Sequence, residues 1–145
     1  MIERESPEGI KPQKFVGIYL GGGRLASGDS KAYLSFGGVP VAVRVFEALN
    51  GAPEITRIVA IAPEKDLFSS LLPEEHKPTN IFEAHDKFEN NLRTAFDEVS
   101  EDENVIVVLS DIPFIKPDSL SRLAGSVVPG EIIIPTILRR DVRGI

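Results

Sequence analysis

Short apolar runs alternate along this chain with segments whose apolar residues recur at helical spacing, the pattern of a mainly parallel sheet covered by helices. Phe15–Leu20 (FVGIYL) predicts the first strand. Val41, Val45, Phe46 and Leu49 then share one helical face, with Pro40 in the first turn and Asn50-Gly51 as the stop. Ile55–Ala62 reads as a second strand, Glu64–Leu72 as a short helix closed by Pro73, and Asn80–Ala84 as a third strand. Phe88, Leu92, Ala95, Phe96 and Val99 mark the next helix. Asn104–Ser110 is apolar at positions facing both ways, as a central parallel strand should be. A helix led by Pro117 and running to Ala124, then a strand over Glu131–Ile137, complete the pattern. The expected fold class is α/β: a three-layer, Rossmann-like, mainly parallel sheet with helices on both faces.

Composition narrows what such a sheet could serve. At 145 residues, 42% hydrophobic and 26% charged, the chain suits one domain with a proper core. Residues 1–13 are expected to be a flexible leader and 14–145 one α/β domain. A net charge of −6 argues against non-specific binding to nucleic acid, which needs a basic footprint. Cysteine is absent, so disulfides, thiolate nucleophiles and cysteine metal sites are excluded, and a cytoplasmic setting is expected. No stretch reads as a signal peptide or a membrane span.

Candidate chemistry begins where the first strand ends. Leu20 runs into Gly21-Gly22-Gly23, and Lys31 follows. Glycines allow a sharp turn and bring backbone N–H groups close to an anion, while an ammonium adds a full charge, so a nucleotide is the first candidate ligand. Gly23 and Gly28 are spaced as in a Walker loop, but Asp29-Ser30 intervenes before Lys31. The dinucleotide pattern G-x-G-x-x-G/A fits Gly21, Gly23 and Ala26, yet its ribose-binding acid would be Glu47, inside a predicted helix. Asp111 lies just past the strand over 104–110, and ligands of open α/β sheets gather at carboxyl strand ends. A carboxylate there, beside triphosphate oxygens, is what magnesium requires.

A third pattern accounts for both features. Leu20-Gly21-Gly22-Gly23, then Gly28-Asp29-Ser30-Lys31-Ala32-Tyr33-Leu34, then Gly37-Gly38-Val39-Pro40, resembles the MobA-like NTP transferase family, whose signature runs L-A-G-G, a glycine-rich spacer, K-A-L-L and G-x-P. Val107-Val108-Leu109-Ser110-Asp111-Ile112-Pro113 looks like that family's strand ending in D-x-P. The resemblance implies a nucleotide-diphospho-sugar transferase-like fold and transfer of an NMP moiety from an NTP to a phosphorylated acceptor, releasing pyrophosphate. It implies that Leu20, Gly21, Gly22 and Gly23 present backbone to base and phosphates, that Lys31 holds the phosphates, that Asp111 ligates Mg2+, and that Asn91 contacts base or ribose. Lys31 and Asp111 would be the catalytic pair, and guanine is the base the family suggests.

Two departures stand beside the match. Ala26 occupies the position where the family usually carries arginine, and the family's acceptor-binding half, with a second aspartate, has no counterpart before Ile145. A non-catalytic nucleotide-binding or regulatory module, or a fragment inactive without that half, is therefore the alternative expectation. A nucleotide-sugar glycosyltransferase is a third, though a lysine after a glycine loop fits NTP phosphates better. His76 and His85 lack metal-ligand spacing and read as loop histidines.

Overall fold

The computed structural model describes residues 14–23, 27–109, 115–125 and 132–133. The sheet is built from β1 (Phe15–Leu20), β4 (Ile55–Ala62), β5 (Thr79–Glu83), β6 (Asn104–Leu109) and β7 (Ile132–Ile133), in the order β5-β4-β1-β6-β7. Every pairing in it is parallel. A separate antiparallel ribbon joins β2 (Ser35–Phe36) to β3 (Val39–Pro40). Four α-helices, α1 (Val41–Gly51), α2 (Lys65–Leu71), α3 (Phe88–Phe96) and α4 (Pro117–Ala124), and a 3-10 turn over Lys31–Tyr33 complete the described structure.

β1 is central, so every one of its residues is buried, and period-two alternation sends successive side chains to opposite cores. Phe15 and Tyr19 join Phe46 and Leu49 of α1, Phe68 of α2, and Leu120 and Ala124 of α4. Val16, Ile18 and Leu20 face the other way, to a cluster that includes Ala95 of α3. Helices therefore cover both faces, as expected. Phe46 and Leu49 are fully buried, and each such side chain contributes about 1.5–3 kcal/mol over an exposed one.

α1 docks through the apolar face that its spacing predicts, closely enough that a Cβ on Gly51 would lie 2.9 Å from Pro117 of α4. Its far end is held by Lys77, whose ammonium donates to the carbonyls of Leu49 and Ala52, the last of which follows the helix. Burial lowers the Lys77 pKa, while the charge of Glu54 works against that shift.

Several boundaries differ from the sequence expectation for local reasons. The helix expected over 64–72 spans Lys65–Leu71 because Glu64 adopts a left-handed conformation, φ 50°. Pro40 ends β3 and precedes α1 as its cap, and is not inside the first turn. The ribbon was not anticipated: two-residue strands carry no periodicity, and its signal is the turn Gly37-Gly38, both with positive φ as a tight hairpin requires. β5 begins and ends one residue earlier than expected. The expected leader, Ser110, and the part of the last strand beyond Ile132–Ile133 lie outside the described residues.

Candidate nucleotide site

After β1 the chain builds outward through β4 and β5, then returns to the other side of β1 as β6, which places the topological switch between β1 and β6. Leu20 is in register with Ile61 on one neighbour and with Leu109 on the other. The glycine loop therefore leaves the sheet at the switch, level with the end of β6. Asp111 lies outside the described residues.

The loop is packed from both sides. A Cβ on Gly21 would meet the Tyr19 ring, with Cε2 at 2.6 Å and the hydroxyl at 2.7 Å. A Cβ on Gly22 would lie 2.7 Å from Nδ2 of Asn91 on α3. None of Gly21, Gly22 and Gly23 has positive φ, a conformation the described glycines reserve for Gly28, Gly37 and Gly38. The sharp-turn reason for these glycines is thus corrected: Gly21 and Gly22 are required by close approach, because flanking side chains occupy the space a Cβ needs.

Backbone groups of the loop divide their work. The Gly21 N–H donates to Ile61 O at 2.8 Å, so it extends the β1–β4 ladder and is not offered to a ligand. The Gly22 and Gly23 N–H groups have no hydrogen-bond partner among the described residues. Gly23 O accepts the Lys31 N–H at 2.9 Å, closing the loop on itself. Lys31 opens a 3-10 turn, Lys31–Tyr33, that is anchored by the Tyr33 hydroxyl, which donates to Pro63 O just past β4. Burial, followed by the charges of Glu64 and Glu83, pushes the Tyr33 pKa up to about 12, so the phenol remains a donor. The Ser30 hydroxyl is buried without a partner among the described residues.

Asn91 has a different environment from a solvated helix asparagine. It is 4% exposed; its Oδ1 accepts the His85 N–H at 2.6 Å, and its Nδ2 donates to His85 O at 3.1 Å. Both backbone groups of one loop residue are satisfied by one amide, which locks the β5–α3 connection against Gly22. Nearby, Glu83 ends β5 by accepting the N–H groups of Glu64 and Lys65, a carboxylate placed at the start of α2.

Sequence patterning misses Tyr19 as a loop contact. Its ring is wholly buried, stacked on Phe68 at a centroid distance of 5.2 Å, and its hydroxyl has no partner among the described residues. Burial, with a smaller contribution from Tyr33, raises its pKa. The available signal was strand alternation: residues i and i+2 share a face, so Tyr19 lies beside Gly21.

Leu20 is buried toward the α3 face, so its side chain belongs to the core and only its backbone reaches the loop. Gly21, Gly22, Gly23 and Lys31 form one connected loop, and Asn91 is brought against it. His76 Nδ1 engages Lys77 O at 2.8 Å, and its ring packs against Phe46. Among the described residues no group of three or more His, Cys, Asp and Glu could hold a metal ion. No helix among them is long and apolar enough to cross a membrane.

No curated protein matches the chain. A family model does, over residues 18–142, which takes in the glycine loop, Lys31, Asn91 and Asp111. With that match covering most of its length, the chain belongs to the MobA-like NTP transferase domain family.

Proposed function

We propose that this protein binds an NTP as its magnesium complex at the β1–β6 switch and transfers the NMP moiety to a phosphorylated acceptor, with release of pyrophosphate. Membership of the family carries a nucleotidyltransferase-type function. The observation that supports the finer reading is the glycine loop itself, where the Gly22 and Gly23 N–H groups have no described partner and Lys31 is tied back onto Gly23. Such N–H groups are a ready cradle for phosphate oxygens.

In the reaction, an acceptor phosphate oxygen attacks the α-phosphorus, the bond from that phosphorus to the bridging oxygen of the β-phosphate breaks, and the electron pair leaves with pyrophosphate. The protein's part is positioning and charge neutralisation. Lys31 would hold the phosphates by its charge, and Gly22 and Gly23 would hold them by backbone hydrogen bonds. Asn91 would act through Gly22 and His85, fixing the loop's path, with base or ribose contact arising from that place. Leu20 and Gly21 would set the start of the loop.

Magnesium is commonly held by one or two carboxylates together with substrate phosphates. What supports this reading is sequence position: Asp111 follows β6 by two residues, and Leu109 at the end of β6 is in register with Leu20, where the glycine loop begins. Asp111 would hold the ion, which when bound neutralises phosphate charge. Guanine is the base that the family resemblance suggests, and the cysteine-free composition favours a cytoplasmic setting.

The test is to incubate the protein with magnesium, each NTP and a panel of phosphorylated acceptors, while measuring pyrophosphate release and NTP binding. Release with one NTP–acceptor pair supports the proposal. Binding without release supports a non-catalytic nucleotide module, and no binding of any NTP contradicts both.

A further inference from the structure

The contact between Tyr19 and Gly21 carries more than packing. Tyr19 is enclosed: it is 0% exposed, stacked on Phe68 with an interplanar angle of 20°, and Phe68 lies edge-on to Phe46. Gly21 is equally fixed, because its N–H is bonded to Ile61 of β4. The atoms that a Cβ at position 21 would meet, Cε2, Cζ and the hydroxyl, lie at 2.6–2.8 Å. Neither side has slack. The overlap cannot be relieved by swinging a loose side-chain end, so the backbone at Gly21 must shift, and with it the next residues of the loop.

Those next residues are the ones whose N–H groups have no partner among the described residues. We propose that Tyr19 is a positioning residue for nucleotide binding: its ring dictates glycine at position 21 and thereby fixes where Gly22 and Gly23 present their N–H groups. The two positions form a coupled pair, and the ring, not the hydroxyl, is the determinant. This inference rests on the nucleotide reading of the loop.

A double-mutant cycle tests it, with dissociation constants for the magnesium–NTP complexes from calorimetry and Tm from thermal melts. Gly21→Ala is expected to lower Tm and weaken NTP binding by about tenfold or more, the loss that goes with one misplaced hydrogen bond to a charged phosphate. Leucine retains core volume but lacks the ring atoms that collide, so Tyr19→Leu combined with Gly21→Ala is expected to recover affinity to within about twofold of the parent, the ordinary error of additivity. If that variant does not fold, Tyr19→Met with Gly21→Ala takes its place, methionine being the more adaptable filler. Ile55→Val, a core change at the opposite end of the sheet where Ile55 pairs with Phe15, is the control: it lowers Tm and leaves affinity unchanged. Parent-like affinity in Gly21→Ala, or a double variant no better than Gly21→Ala alone, overturns the pairing. If the parent protein binds no NTP, the nucleotide reading fails, and the Tm cycle still decides the pair: additive losses refute it and non-additive recovery sustains it.

Discussion

Gly22 and Asn91 are far apart in the chain, yet a Cβ on the glycine would lie 2.7 Å from the asparagine amide nitrogen. That amide also satisfies both backbone groups of His85. One buried side chain thus fastens the glycine loop, the β5–α3 connection and the first turns of α3. Asn91→Ala leaves the His85 N–H and C=O without their partner, and such a loss costs about 1–3 kcal/mol. Urea denaturation should show that drop, with NTP affinity falling as well. Unchanged stability would mean that the amide is not a clamp.

Removing the Tyr19 hydroxyl is expected to have the opposite character. The group is buried without a partner among the described residues, so Tyr19→Phe gives up no described hydrogen bond and retains the ring. The urea midpoint should stay level or rise, and NTP affinity should be that of the parent. A clear fall in the midpoint would show that the hydroxyl is bonded.

Phe68 links α2 to the floor of the loop. It is the buried residue of that helix, and it contacts Tyr19 face-on and Phe46 edge-on. Phe68→Ala is predicted to cost about 3–5 kcal/mol, the range for a large aromatic removed from a core. Hydrogen exchange of α2 and of the backbone near Tyr19 should accelerate. If exchange there is unchanged, the stack does not brace the loop.

The glycine loop was legible in the sequence as a phosphate candidate, but the reason for its glycines was not. Backbone conformation is a local property, so Gly37 and Gly38 declare a turn; steric closure depends on Asn91, which arrives from another element. The burial of Asn91 was hidden for the same reason, since Glu89-Asn90-Asn91 reads as a polar helix face until His85 is seen to need partners. β1 was found with its boundaries because a continuous apolar run is what a strand buried on both faces requires, and β4 because the buried run Ile58–Ala62 carries it past Thr56 and Arg57. β2 and β3 escaped because their order comes from a turn and not from a pattern.

At the opposite end of the sheet, Glu103 offers a pH test separate from the nucleotide site. Its pKa is lowered by the Ser100 N–H, by the hydrogen bond and charge of Arg57, 2.8 Å away, and burial opposes the shift only in part. A carboxyl depressed in the folded protein adds stability that is present above its unfolded pKa and disappears as pH falls through the folded one. Stability should therefore decline on acidification below the ordinary carboxylate range. Glu103→Gln should flatten that decline and leave NTP affinity at neutral pH untouched. An identical acid limb in the variant would assign the loss to other carboxylates.

The central claim is that the loop between β1 and the Lys31 turn grips the phosphates of a nucleotide. Calorimetric titration of the parent and Lys31→Ala with a magnesium–NTP complex and with the matching nucleoside tests it most directly. Lys31→Ala should weaken triphosphate binding by about tenfold or more, in line with about 1.5–3 kcal/mol for a hydrogen bond to a charged group, and leave nucleoside binding nearly unchanged. Equal triphosphate affinity in the two proteins would contradict it.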